Sequence, residues 1–232
     1  MPIDSVRLLN MGDKARARKE ALQELATFLV DGQAWSQVSQ IDKWLGKDAP
    51  EGDAARRGIC LALCLYWIDA RRRNKEELRG GEFGTLSKSH VMKAAAKIQE
   101  LYAASLEAAV ADGEARAKAE RDAIQLVGSA LDIAIEGDDT GDANGQSMRP
   151  FVPRHGKYGL VALKGFNCGH ALAIYSQKSG LLKKHHFHVF DPNWGEFRME
   201  DSRFEEFLDL LTLTYRLHGP TYSKASLYRL AV

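Results

Sequence analysis

Residues 56–68 read Arg56-Arg57-Gly58-Ile59-Cys60-Leu61-Ala62-Leu63-Cys64-Leu65-Tyr66-Trp67-Ile68: a glycine two places before a cysteine that opens an apolar run. The run predicts a helix that starts near Cys60 and closes in Arg71-Arg72-Arg73-Asn74-Lys75, where cations complement the negative end of the dipole. That basic run reads as a solvated helix end rather than a docking patch. Leu63, Cys64 and Trp67 follow Cys60 at offsets of three, four and seven and lie close to its face. A thiol attacks a carbonyl only as thiolate, and the unpaired N–H groups at a helix start favour an anion. Gly58 lets the backbone turn tightly into the helix. By itself a cysteine in such a place is more often a small buried hydrophobe, so the reading depends on partners elsewhere.

Two later stretches supply them: Gly169-His170-Ala171-Leu172-Ala173-Ile174-Tyr175 and Phe190-Asp191-Pro192-Asn193-Trp194-Gly195-Glu196-Phe197. Strands are expected over 158–164, 169–177 and 185–191, with Lys178-Ser179-Gly180 turning between the last two. His170 opens one strand; Asp191 ends the next, just before Pro192 stops the ladder. Antiparallel pairing sets the start of one strand beside the end of its neighbour, the geometry a His–Asp hydrogen bond needs. The candidate catalytic residues are therefore Cys60 as nucleophile, His170 as general base and Asp191 as the group that orients the imidazole. Alone, Asp191 would read as a turn former. Cys64 lies one turn deeper, and alternation points Cys168 away from His170, so both read as structural. His185, His186 and His188 form a rival metal site, with His186 and His188 on one strand face, but neither CxxC nor HExxH accompanies them. No metal is expected.

The rest of the chain suggests an α+β fold. A helix over 14–31 carries Leu22, Leu25, Ala26 and Leu29, with Gly32 as a stop. A short helix is expected over 34–45, a loop over 47–53 and a turn at Gly80-Gly81-Glu82-Phe83-Gly84. Ser87 or Ser89 caps a helix over 90–111, whose stripe Ile98, Leu101, Leu106 and Val110 reads as core. Another helix is expected over 114–135. Residues 136–150 read as a mobile acidic loop; Asp142, Asn144 and Gly145 resemble the middle of an EF-hand, but Thr140 and Phe151 stand where its first and last ligands belong. A helix over 202–213 and a strand over 226–232 close the chain. This divides it into a helical extension, 1–50, and a catalytic domain, 51–232.

The chain has 232 residues with 32 basic and 31 acidic side chains, so no global field draws it to nucleic acid. Three cysteines are not a disulfide framework, which favours a reducing compartment. No apolar leader core or membrane-spanning run is expected, and Pro2 argues against myristoylation. Specialised secretion leaves no such signature.

Gly58-x-Cys60-x-x-Leu63-x-x-x-Trp67, Gly169-His170-Ala171 and the 190–197 stretch together resemble the YopT/AvrPphB-type papain-like cysteine proteases, effectors injected by bacterial pathogens. The resemblance implies a central antiparallel sheet with helices on either side. It also implies peptide-bond hydrolysis through an acyl-enzyme at Cys60, His170 and Asp191, no cofactor, and a protein substrate in a host cell. One departure stands out. Such enzymes usually carry an Asn or Gln just before the cysteine to serve the oxyanion; here Ala55 occupies that region, and losing one such donor typically costs about 10²–10³ in rate. The His-to-Asp interval is also somewhat long, its extra residues falling in 176–184. An amidase acting on a peptidoglycan peptide, or an inactive relative that binds a partner through the cleft, would carry the same motifs. The number of subunits has no sequence signature here.

Overall fold

The computed structural model describes residues 11–30, 59–73, 89–154, 156–166, 168–177 and 184–232. The expected helix over 34–45, the loop over 47–53, the turn at 80–84, Ser87 and the side chain of Ser89 as caps, Gly32, Gly58 and the Lys178-Ser179-Gly180 turn lie outside what is described.

Helices α1 (Met11–Ala26), α2 (Cys60–Arg73), α3 (Ser89–Ala111) and α4 (Arg116–Ser129) precede strand β1 (Ala134–Asp142). A one-turn helix α5 (Gly145–Met148) leads to β2 (Tyr158–Gly165), β3 (Gly169–Ser176), β4 (His186–Asp191) and β5 (Gly195–Glu200). Helix α6 (Phe204–His218) and strand β6 (Tyr222–Ala231) close the fold. The six strands form one antiparallel sheet in the order β1-β6-β2-β3-β4-β5. Because side chains alternate across a strand, the central strands β2, β3 and β4 feed two cores. One holds Val161, Leu172, Ile174 and Val189 against α1 and α6, through Ala21, Leu25, Phe207 and Leu211. The other holds Leu160, Ala171, Ala173 and Phe190 against α2, α3 and α4, through Leu63, Trp67, Met92 and Val127. The result is the expected α+β architecture, a helical first half and an antiparallel sheet flanked on both faces.

Several local expectations fail for physical reasons. The stretch read as a mobile acidic loop, 136–150, begins as edge strand β1 as far as Asp142, with exposure alternating along it, and continues into α5 and a 3-10 turn. Its acidic side chains meet cations: Glu136 pairs with Lys157 at 3.2 Å, Asp138 with Arg121 at 2.9 Å, Asp139 with Arg229 and Asp142 with Lys224 at 2.6 Å. Charge on an edge strand also blocks further pairing. Asn144 caps α5 by accepting from the Ser147 N–H at 2.8 Å, so neither it nor Asp142 is arranged as in a calcium loop.

Only part of the stripe on α3 is core: Ile98 packs against the second core, but Leu101 and Val110 are 48% and 37% exposed, and the buried residues of the helix include Met92, Ala95 and Ala96. The helix expected over 114–135 ends at Ser129 because residues from 134 onward pair with β6. On α1 the buried stripe is Ala17, Ala21 and Leu25, continued by Phe28, so Leu22 lies only half-buried. That helix shares the α6 core, and Leu29 bridges to Phe197.

Candidate active site

Cys60 is the first residue of α2, whose first internal bond runs from the Leu63 N–H to the Ile59 carbonyl at 3.0 Å. The thiol therefore sits where a helix presents unpaired N–H groups. It is partly exposed, whereas Cys64 is fully buried, and burial pushes the Cys64 thiol well above its usual range.

The helix is pinned to the sheet from behind. The Trp67 indole stacks on Phe190 with centroids 5.7 Å apart and donates Nε1–H to Glu196 Oε2 at 3.0 Å. Arg71 is 1% exposed, bonds Glu196 Oε1 at 2.7 Å, and lies over the Trp67 and Tyr175 rings. The basic run is thus not simply a solvated helix end; its first cation is an internal anchor, and Arg72 and Arg73 pair with Asp69.

His170 and Asp191 owe their meeting to register. Ala173 pairs with Phe190, so one step further Asp191 stands across from Leu172, on the face that His170 shares. Asp191 ends β4 in a hairpin that Pro192, Asn193 and Trp194 turn, and Gly195 completes it at φ +109°, a conformation suited to glycine. The Trp194 N–H bonds the Asp191 carbonyl at 3.1 Å. His170 Nε2 lies 2.9 Å from Asp191 Oδ1, both side chains being buried. With Nε2 engaged there, Nδ1 is the ring nitrogen left for the thiol.

The thiol and the imidazole shift one another's ionisation. Burial opposes ionisation of Cys60 most strongly, yet the hydrogen bond and charge of His170, with the Ala171 and Leu61 N–H groups, hold the thiol below its ordinary value. Burial likewise opposes protonation of His170, but the Asp191 charge and hydrogen bond, then Cys60, push the imidazole up to about 10. The arrangement favours a thiolate–imidazolium pair over thiol and neutral imidazole. The three residues named from sequence are brought together, on three separate elements.

Sequence reasoning missed Tyr215, whose hydroxyl donates to Asp191 at 2.7 Å from Oδ2. It sits in the last turns of α6, beyond where the helix was expected to stop, and nothing but the apolar periodicity of that helix pointed inward. Cys168 was expected to point away; it is exposed and lines the cleft beside Cys60. That cleft has a volume of about 900 Å³, with Leu106 and Val110 of α3 and the 97% exposed Phe166 on its walls. Gln99 of α3 also lines it and accepts from the Ala62 N–H at 3.4 Å.

The three histidines of the rival site are each engaged separately. His185 Nδ1–H donates to Asp201 and its Nε2 accepts from Ser176; His186 donates to the Lys184 carbonyl; His188 donates to Glu196. Among the described residues no three His, Cys, Asp or Glu side chains cluster as a metal would require. Nor is any described helix long and apolar enough to cross a membrane.

The sequence matches the family model described as Yersinia/Haemophilus virulence surface antigen over residues 23–224. The structure is similar to the crystal structure of the Pseudomonas avirulence protein AvrPphB, with TM-score 0.63 and 20% identity over 82% of this chain and 100% of that one. At this identity the likeness is one of fold. No curated protein matches.

Proposed function

We propose, from the premise that the chain belongs to the Yersinia/Haemophilus virulence surface antigen family of C58 cysteine peptidases, that it cleaves peptide bonds at Cys60, assisted by His170 and Asp191. The observation that carries this reading is the convergence at one cleft of a partly exposed thiol with lowered pKa, a buried imidazole with raised pKa, and a fully buried carboxylate.

The Cys60 thiolate attacks the substrate carbonyl carbon. The Cys60 backbone N–H at the start of α2 donates to the oxyanion that develops. The His170 imidazolium, held in orientation by Asp191, gives its proton to the departing amine as the C–N bond breaks. A thioester remains on Cys60. Water then attacks the thioester as His170 takes its proton, the C–S bond breaks to return the Cys60 thiolate beside the imidazolium, and the carboxylic acid departs. Membership in an effector family supports a host protein as substrate and delivery into a host cell. The cleft wall of Leu106, Val110 and Phe166 suits an apolar side chain of that substrate.

The test is the appearance of new protein N-termini in a host-cell extract treated with wild type or with Cys60→Ala. Termini generated only by the wild type support the proposal. Identical sets from both proteins refute it.

A further inference from the structure

Tyr215 is placed as if it belonged to the catalytic relay. It is 3% exposed, and its hydroxyl stands 2.7 Å from Asp191 Oδ2, 2.9 Å from Asp191 Oδ1 and 2.9 Å from His170 Nε2. One proton assignment satisfies every group. The Tyr215 O–H donates to Asp191 Oδ2, and Asn193 Nδ2–H donates to the phenolic oxygen at 3.1 Å. Asp191 Oδ1 accepts from His170 Nε2–H at 2.9 Å and from the Asn193 N–H at 2.8 Å. Burial and the neighbouring Asp191 charge push the phenol well above its usual range, so it keeps the proton it donates.

Among the described residues the hydroxyl is the donor that Oδ2 has, and a buried carboxylate oxygen without a donor is costly. Two contacts on Oδ1 fix only one end of the carboxylate. The contact on Oδ2 fixes its rotation, and thereby the line along which Oδ1 meets the imidazole.

We propose that Tyr215 is a positioning residue of this site: its hydroxyl locks the Asp191 carboxylate so that Asp191 holds the His170 ring against Cys60. The proposal rests on the reading of Cys60, His170 and Asp191 given above. It acts through Asp191 and touches no reacting atom. The titratable groups that face His170 and Asp191 are Cys60 and Cys64 on α2, Tyr222 on β6 and Tyr215 itself.

The test needs no substrate. Iodoacetamide alkylation of Cys60, read by mass spectrometry across pH, reports the thiolate that His170 stabilises. Tyr215→Phe keeps the ring contacts with Trp194, Tyr222 and His170 and removes only the hydroxyl. Its midpoint should move up by roughly half a pH unit, a threefold loss of thiolate at fixed pH, in the same direction as Asp191→Asn and by less. A merely structural role would change melting temperature and leave the midpoint in place. Should Tyr215→Phe not fold, Asn193→Ala removes the donor that aims the hydroxyl and should give a smaller shift of the same sign. If His170→Ala and Asp191→Asn move the midpoint and the folded Tyr215 or Asn193 variant does not, this proposal alone is overturned. If His170→Ala leaves the wild-type profile unchanged, the catalytic reading itself fails and takes this proposal with it.

Discussion

Replacing Glu196 by Gln should destabilise the protein strongly, although Glu196 touches no reacting group. The carboxylate is the common partner of Arg71 at 2.7 Å, His188 at 3.0 Å and the Trp67 indole at 3.0 Å. The side chains of Arg71 and Glu196 are 1% and 10% exposed, so neither can recover solvation without unpacking α2 from the sheet. Glu196→Gln keeps the size and loses the charge, leaving the guanidinium buried and uncompensated. Breaking a buried pair in this way costs about 3–5 kcal/mol. With a urea dependence of about 2–3 kcal/mol per M, the unfolding midpoint should fall by about 1–2.5 M. Tryptophan fluorescence is the natural probe, since Trp67 lies in the network. The double variant Arg71→Met/Glu196→Leu should recover much of the loss, because replacing both charges by apolar groups of similar volume is often neutral or better. A Glu196→Gln midpoint within about 0.3 M of wild type, on a slope of this size, would refute the argument that this pair clamps α2 to the sheet.

Other outcomes follow from the same structure. Burial holds His188 below the ordinary imidazole value; the unfolded chain therefore takes up that proton first, and stability should decline as pH falls below about 6.5. Denaturant titrations of His188→Gln, which keeps a donor toward Glu196, should show that decline flattened. Asp191→Asn removes the charge that pushes His170 up to about 10, so the alkaline limb of activity should move to lower pH. A Cβ on Gly145 would stand 2.6 Å from the Glu205 Cα, and the Gly145 N–H is tied to Asp209 at 2.8 Å. Gly145→Ala should accordingly cost about 1–3 kcal/mol, visible as a lower melting temperature. Leu106→Arg or Val110→Arg on the cleft wall should raise KM for substrates identified by their new N-termini, with the Cys60 alkylation rate unchanged.

The parts legible in the sequence are those with a strict local pattern. The Cys60 helix announces itself by an apolar run closed by cations, and β2, β3 and β4 by short, largely apolar runs between polar or glycine-bearing stretches. Antiparallel logic then sufficed to pair His170 with Asp191. What stayed hidden depends on neighbours distant in sequence. Strand β1 is Gly- and Asp-rich and reads as loop until β6 and the cations opposite it are known. Leu106 and Val110 fit a core stripe equally well as a cleft wall, since periodicity cannot say what a face meets. Arg71 reads as a surface charge because its partner, Glu196, lies 125 residues away in sequence, on a short strand whose alternation gives no hint of what its polar face meets. Tyr215 carries no motif; only the three-dimensional approach of α6 to the end of β4 gives its hydroxyl a role.

The central claim concerns activation of one thiol, and the chain contains its own control. Cys168 is exposed in the same cleft where Cys60 is only partly so, and steric access alone favours alkylation of Cys168. Limiting iodoacetamide at pH 6, with both sites quantified by mass spectrometry, should label Cys60 first in the wild type and lose that preference in His170→Ala. Preferential labelling of Cys168 in the wild type, or a Cys60 preference that survives His170→Ala, would contradict the account.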